Sequence, residues 1–416
     1  ESRLPCQVLV FPLSASGPPS RTFQAMSLWE VVGGADKGGI LVREGQALGS
    51  PATAERLATG SIVEELELIG ERLHYKLVAG TGTGPESGWA SIKISGKDLL
   101  VPKEEPEDIS PPSDPAPVEV DEALKAKIET DAKSMEGEFL NYCMKYKVLG
   151  FPAPSPKLRI LCFHNAGGAE TVYTAANTPF TNFVKENKDS VEVMAFDYPG
   201  RQKMLKKTKH VSTDTLSPEL LAVAYPKLSD GVPYIVWAHS VGTWVCFEFL
   251  MAARKIGLPM PIAGFFNAFP APHMPSSMRR WHKSARLNDQ QMRDELLNWD
   301  KGHLGPDGAG KVVFDDPGWK DTYEPQMRAD FRLFDEYKFK HSGAPKFEFP
   351  IHAYHMEQEH YNHAEQIQMW KDWTSGEFDH CTMANMGHLT CFYKPPARKE
   401  YFTKVVDNIK KYYAAL

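Results

Sequence analysis

The sequence predicts an α/β fold with a mostly parallel sheet, preceded by a small all-β domain. Three observations support this. After residue 157, near-continuous apolar runs alternate with amphipathic segments, as in parallel sheets buried on both faces. Over residues 23–102, short alternating runs are broken by glycines, the pattern of small antiparallel domains. Within the α/β region, the pentapeptide 238–242 joins an apolar run to a helical segment through a serine.

The composition limits the classes of function. The 416 residues suffice for two or three domains. The net charge of −6 gives no basis for a nucleic-acid partner, and no apolar run approaches the roughly 20 residues of a membrane span. The six cysteines lack C-x-x-C spacing, which favours buried free thiols and a reducing compartment of cytoplasmic or plastid type. No cofactor is expected.

The N-terminal domain is predicted over residues 23–102. Its expected strands are 28–32, 38–43, 61–68, 72–78 and 88–94, with a hairpin turn at Gly70-Glu71. The length of this domain and its Gly88-Trp89 pair resemble a small SH3-like barrel, and a generic β module is the alternative. The domain carries no catalytic constellation, so a protein partner is its expected ligand.

Two connecting segments follow. Residues 103–118 are acidic and rich in proline, and such a linker is expected to be extended. Residues 119–156 form a connector in which apolar residues at helical spacing predict one helix over 120–147. Three prolines, at 152, 154 and 156, are expected to end it.

The large domain is predicted over residues 157–416. Its expected strands are 158–163, 191–196, 234–237, 262–269, 351–354 and 378–383. Between the fourth and fifth strands, a segment of about residues 271–341 lacks the alternation of apolar strands with helices. It holds amphipathic segments at 289–299 and 326–337. An insert at this place is expected to be a helical lid over the strand ends.

Ser240 is the predicted nucleophile. It stands in Ala238-His239-Ser240-Val241-Gly242, between a strand and a helix, with small residues two positions to either side. A sharp turn there exposes the hydroxyl beside the N–H groups of the helix start. A serine also needs a base, an acid and an oxyanion hole, and on this type of sheet the chain order is serine, acid, histidine.

The other parts of the machinery are sought at strand ends. The first strand runs into His164-Asn165-Ala166-Gly167-Gly168, so the N–H groups of Val241 and of Asn165 or Ala166 are predicted to form the oxyanion hole. His388 is the predicted base, because it is late in the chain, beside a glycine and after the last strand. His239 lies on the wrong side of the turn for a base and is predicted to pack and to donate hydrogen bonds.

The large domain resembles the type II thioesterases, an α/β-hydrolase family that serves polyketide and nonribosomal peptide synthases. The matching stretches are 161–168, 196–201 with its Pro-Gly-Arg, 238–242 followed by Phe247-Glu248, 327–331, 370–373 and Gly387-His388. The resemblance implies a serine thioesterase that hydrolyses acyl thioesters on the phosphopantetheine of an acyl or peptidyl carrier protein, or acyl-CoA, through an acyl-enzyme on Ser240.

The acid departs from the family pattern. The resemblance implies an aspartate in the loop after the family's sixth strand, which corresponds to 351–354 here. Counting back from Trp370 places His360 at that position. Glu359 is one residue away and is the prediction, because glutamate can replace aspartate in this triad. The alternatives are Glu357, His360 itself, and Asn267, which stands at the site used by some related thioesterases. A general serine esterase or acyltransferase, or a catalytically weak scaffold, stays open as a rival function.

Two further patterns have competing interpretations. Lys203, Lys206, Lys207 and Lys209 could dock an acidic carrier protein or be a solvated loop. The close histidines 352, 355, 360 and 363 have conceivable metal-ligand spacing, but the segment lacks a clear ligand set, so no metal site is predicted.

Overall fold

The structure is a computed structural model that describes residues 27–103, 109–143, 153–306 and 308–416. The chain divides into two compact units, Glu1–Pro106 and Glu107–Leu416. Each has its own hydrophobic core.

The first unit contains an antiparallel sheet in the order β2-β5-β4-β3-β1-β8. The strands are β1 Leu28–Val31, β2 Val42–Arg43, β3 Ile62–Ile69, β4 Arg72–Leu77, β5 Ser87–Ser91, β6 Lys93–Ile94, β7 Lys97–Asp98 and β8 Leu100–Lys103. Trp29, Val42, Leu73 and Tyr75 lie in its core. The predicted antiparallel region is therefore present, and the SH3-like assignment stays a prediction.

Two details of this unit differ from the prediction. The strand expected over 38–43 is reduced to β2 and an isolated bridge between Ile40 and Leu57. Strand β8 was not predicted and reaches Lys103, the first residue of the expected linker. Strand β8 forms because it pairs with β1, whose edge would otherwise carry unpaired backbone groups.

The connector is not one helix. It forms α1 Glu122–Ser134 and α2 Phe139–Tyr142, separated at Gly137, which has φ of 88°. A positive φ interrupts a right-handed helix, so the prediction of one helix over 120–147 is wrong. Its last part, from 144, lies outside the described residues. The expected linker is anchored at Ser113, whose N–H donates to the Ala344 carbonyl at 3.1 Å.

The second unit is built on six parallel strands, β9 Leu158–Phe163, β10 Val191–Ala195, β11 Tyr234–His239, β12 Ala263–Asn267, β13 Ile351–Met356 and β14 Phe378–Met383. They form one sheet in the order β10-β9-β11-β12-β13-β14. Its helices after α2 are α3 Thr171–Thr174, α4 Pro179–Glu186, α5 Thr213–Leu228, α6 Gly242–Lys255, α7 Asp289–Trp299, α8 Lys301–Leu304, α9 Gly310–Phe314, α10 Glu324–Asp335, α11 Ala364–Gln368, α12 Thr390–Tyr393 and α13 Pro395–Ala414.

Strand β9 shows why the sheet is buried on both faces. Leu161 and Phe163 join one core cluster, with α5 and α6, whereas Ile160 and Cys162 join the other, with α4 and α13. Successive side chains of a strand point to opposite faces, so apolar residues are needed on both faces. The exception in β9 is the buried Arg159, which forms ion pairs with Glu192 and Asp230. The predicted α/β fold with a mostly parallel sheet is confirmed. The five described cysteines are free thiols.

The insert, defined here as residues 271–341, holds α7 to α10 and a π-helical turn, Trp319–Tyr323. It leaves the sheet after β12 and returns before β13. None of the helices in the described ranges is long and apolar enough to cross a membrane.

Candidate active site

Ser240 stands at a sharp turn between β11 and α6. Its φ of 57° lies in the left-handed region, a strained conformation for a residue with a side chain. The Ser240 N–H donates to the Asn267 carbonyl at 3.0 Å. At Gly242, a Cβ would lie 2.4 Å from the Phe163 carbonyl oxygen, so the helix can approach β9 only because this residue is glycine. The backbone thus aims the serine away from the sheet.

His388 connects the serine to a carboxylate. Its Nε2 lies 2.7 Å from the Ser240 Oγ, and its Nδ1 lies 2.9 Å from the Glu359 Oε1. All three residues are buried. The three groups form one hydrogen-bonded line in the chain order serine, acid, histidine, which is the arrangement that a nucleophilic serine requires.

Glu359 is held from its other side by a residue that was not predicted. Asn362 Nδ2 donates to the Glu359 Oε2 at 2.6 Å and to the Ala268 carbonyl at 3.0 Å. Asn362 is fully buried, so the amide ties the acid loop to the end of β12. Its only signal in the sequence was its place three residues after the glutamate.

The alternative acids lie elsewhere. Glu357 is exposed and accepts from the Asn385 N–H at 2.8 Å. His360 is exposed, with its ring against Tyr361. Asn267 is engaged within the sheet, because its Nδ2 donates to the Tyr401 hydroxyl and its Oδ1 accepts from the Tyr354 N–H. Of the four residues considered, the structure brings Glu359 to His388.

The glycine loop after β9 faces the serine. Asn165 and Ala166 line the same pocket as Ser240 and His388. Gly167 has φ of 67°, and its N–H donates to the Asp330 Oδ2 at 2.7 Å. Val241 directly precedes α6, where the free N–H groups and the helix dipole favour negative charge. The predicted oxyanion-hole residues are therefore adjacent to the serine.

Arg201 fixes the glycine loop after β9 by hydrogen bonds. Its guanidinium donates to the Gly168 carbonyl at 2.7 Å and to both carboxylate oxygens of Asp330, at 3.0 and 2.6 Å. The ion pair is buried on both sides. Such a bidentate pair fixes geometry, so the Pro-Gly-Arg motif has a positioning role at the glycine loop.

Two buried histidines, His164 and His239, stand next to residues of the site. Burial and the Arg201 charge lower the pKa of His164, whose ring lies 3.8 Å from that of Tyr198. Burial and the neighbouring His388 lower the pKa of His239. A neutral His239 donates from Nε2 to the His388 carbonyl at 2.8 Å, as its predicted hydrogen-bonding role requires.

The pocket over the serine is apolar. Apart from the glycine loop, Ser240 and His388, it is lined by Leu296, Trp299, Met327, Phe331, Phe334 and Leu389. All but Leu389 belong to the insert. The Trp299 and His388 ring centroids are 5.0 Å apart. An uncharged acyl group suits such a lining better than a polar one.

The described residues contain no group of three or more side chains arranged to hold a metal ion. The histidines with suggestive spacing have other partners. His352 contacts Asp379 and the Tyr412 hydroxyl, and His355 contacts the Asn362 carbonyl.

Together, the parallel sheet, the serine turn and the histidine–carboxylate pair define the chain as a serine hydrolase of the α/β-hydrolase class. The family model for the thioesterase domain matches residues 158–397. The chain belongs to this family and is a thioester hydrolase, and its predicted resemblance to type II thioesterases is confirmed.

Known relatives and a solved structure are similar to this chain. Gramicidin S biosynthesis protein GrsT of Aneurinibacillus migulanus is 23% identical over 243 residues, 58% of this chain and 87% of the relative. Thioesterase PikA5 of Streptomyces venezuelae is 25% identical over 57% of this chain and 76% of the relative. The structure of ClbQ from the colibactin pathway superposes with a TM-score of 0.52 at 19% identity, covering 62% of this chain and 100% of that one.

Proposed function

We propose that this chain hydrolyses acyl thioesters carried on the phosphopantetheine of a carrier protein, through an acyl-enzyme on Ser240. The single observation that carries the proposal is the continuous line from the Ser240 Oγ through both nitrogens of His388 to Glu359, at 2.7 and 2.9 Å. The proposed base and acid are therefore His388 and Glu359.

The mechanism follows from these positions. His388 Nε2 takes the Ser240 proton as Oγ attacks the thioester carbonyl carbon. The carbonyl oxygen becomes an oxyanion, which the N–H groups of Val241 and of Ala166 or Asn165 stabilise. Glu359 stabilises the charged imidazolium and fixes its tautomer.

The tetrahedral intermediate then collapses. The C–S bond breaks, His388 returns the proton to the leaving thiolate, and the acyl group stays on Ser240. A water molecule, deprotonated by His388, attacks the ester in the second half. The free acid leaves, and the proton returns to the serine oxygen.

The carrier assignment rests on several supports. GrsT and PikA5 are, by name, a gramicidin S biosynthesis protein and a thioesterase, and ClbQ comes from an NRPS/PKS pathway. In this chain, Lys203 and Lys206 are exposed, and Leu205 between them exposes 55% of its surface. These residues follow Arg201, so the basic loop starts beside the glycine loop. A cationic loop here favours an acidic carrier surface.

The N-terminal antiparallel unit, in this proposal, binds a protein partner and takes no part in the chemistry. The insert acts as a lid whose apolar side chains select the acyl group. Removal of residues 1–106 is then expected to leave kcat on a small acyl-pantetheine within about twofold.

The test compares three substrates with one acyl group: the acyl carrier protein, acyl-pantetheine and an oxygen ester. The wild-type chain should cleave both thioesters faster than the ester. Lys203→Ala with Lys206→Ala should raise KM for the carrier substrate alone, with exposed Lys399→Ala as the matched control. Faster cleavage of the oxygen ester would identify a general esterase and contradict the proposal.

A further inference from the structure

A buried carboxylate of the insert binds the loop that carries the base. Asp300, directly after α7, is 3% exposed. Its Oδ2 accepts the N–H of Leu389 at 2.6 Å and of Thr390 at 2.8 Å, and its Oδ1 accepts the His303 N–H at 2.8 Å. The Thr390 hydroxyl lies 3.0 Å from Oδ2. Leu389 and Thr390 follow His388 directly, so Asp300 fixes the backbone from which the imidazole projects.

The fit at this contact is close. A Cβ at Gly387 would lie 2.7 Å from both carboxylate oxygens of Asp300. The φ of Gly387 is not positive, so the glycine is needed for the close approach and not for its conformation. The glycine before the base therefore makes room for a side chain of the insert.

The same pattern occurs at the other catalytic loops. Asp330 of α10 accepts the Gly167 N–H at the glycine loop. Glu295 of α7, 2% exposed, accepts the Tyr361 hydroxyl at 2.9 Å, two residues after the acid Glu359. Each of the three loops that surround Ser240 is thus bound by one buried carboxylate of the insert.

Other buried carboxylates of the insert need not act in this way. Asp335, also in α10 and 5% exposed, accepts the N–H of Ser284, which belongs to the insert itself. Removing a carboxylate from water is costly. For Asp300 that cost is offset by four donors: three belong to Leu389 and Thr390, and the fourth is the His303 N–H of α8. Asp300 therefore differs from Asp335 in that most of its donors belong to the loop after His388.

We propose that the insert assembles the catalytic site through Asp300, Glu295 and Asp330, and that Asp300 is the positioning residue for His388. Docking of the insert and alignment of the base then become one event, so a substrate that closes the insert also completes the triad. This inference rests on the proposed roles of Ser240 and His388.

The test is Asp300→Asn in the full chain, with Asp335→Asn as the matched control. Asparagine keeps the size of the side chain but replaces one acceptor oxygen by a donor, so the base loop loses its alignment. We expect kcat on acyl-pantetheine to fall about 10- to 100-fold, KM to change less than about twofold, and labelling of Ser240 by a fluorophosphonate to slow in parallel. Asp335→Asn should leave kcat within about twofold.

Melting temperatures measured on both variants separate positioning from folding. Equal kcat losses in the two variants, or a loss in Asp300→Asn that only follows the folded fraction, would overturn the proposal. Ser240→Ala, measured in parallel, tests the proposed function. If it is inactive while Asp300→Asn is fully active, only the present inference fails; if it is fully active, the proposed nucleophile fails as well.

Gly387→Ala gives an independent test. Its methyl group should displace the Asp300 carboxylate and lower kcat. In an Asp300→Ala background the methyl group has room, so the further loss should be smaller. A sub-additive pair supports the contact as the cause, and strictly additive losses would overturn it.

Discussion

The sheet and the insert of the second unit contribute different things to the same site. The sheet carries the three groups proposed to react: Ser240 at the end of β11, Glu359 after β13 and His388 after β14. The insert supplies the apolar pocket wall and the buried carboxylates that bind the catalytic loops. The proposed reacting groups and the carboxylates that bind their loops are therefore in separate parts of the chain.

The largest expected effect concerns the acid on the sheet side. Glu359→Gln should lower kcat about 10³- to 10⁴-fold, because a neutral amide neither stabilises the imidazolium nor fixes its tautomer. Steady-state hydrolysis of acyl-pantetheine measures this. Glu357→Gln, a change of the same type on an exposed neighbour, is the matched control and should stay within about twofold. A small loss at Glu359 would transfer the acid role elsewhere.

On the insert side, Asp330→Asn should be the most damaging change to stability. It leaves the buried Arg201 guanidinium without its carboxylate partner, which costs about 3–5 kcal/mol. Urea unfolding measures the loss. Glu336→Gln breaks a partly exposed pair with Arg332 in the same region and should cost less than about 1 kcal/mol. Similar losses of unfolding free energy in both variants would show that the buried Arg201–Asp330 pair contributes no more to stability than the partly exposed pair.

The pocket wall offers a test of selectivity. Met327 lines the pocket, and its Cε would lie 2.3 Å from a Cβ at Gly167. Met327→Ala opens this space, so kcat/KM for a longer acyl chain should rise about tenfold relative to a shorter one. Met278→Ala, at an exposed methionine of the insert, should leave the ratio unchanged. An unchanged ratio at Met327 would place the acyl group elsewhere.

The smallest effect is a dependence of stability on pH. Burial raises the pKa of Asp335 from 3.8 to about 7. The folded state then holds this proton where the unfolded state has lost it, so the contribution of Asp335 falls as the pH rises from about 4 to 7. Asp335→Asn lacks this titration. Its stability relative to wild type should therefore increase by about 1–2 kcal/mol between pH 6 and pH 8, as measured by urea unfolding at each pH. A constant difference would contradict the raised pKa.

The contrast between sheet and insert also explains what the sequence could predict. The strands of the parallel sheet are near-continuous apolar runs, and the predicted 158–163 and 378–383 match β9 and β14. Ser240 and His388 follow from local patterns: a small-residue turn and a glycine after a last strand. These patterns involve residues that are close together in the chain, so a single sequence is enough to detect them.

Contacts distant in sequence left no such signal. Asp300 meets Thr390 across 90 residues, and Asp330 meets Gly167 across 163. No spacing or periodicity encodes these pairs. Glu359 is intermediate: counting residues placed His360 at the acid position, and only the path of the loop after Met356 decides which neighbour faces His388. The connector was also mispredicted, because its apolar residues keep helical spacing although the chain leaves the helix at Gly137.

The acyl-enzyme itself is the most direct test of the central claim. Rapid quenching of the wild-type chain with a stoichiometric acyl-pantetheine, followed by peptide mass mapping, should show one acyl group on the peptide that contains Ser240. One equivalent of thiol should be released with it, and Ser240→Ala should show neither the adduct nor the release. Thiol release at the wild-type rate by Ser240→Ala would contradict the account.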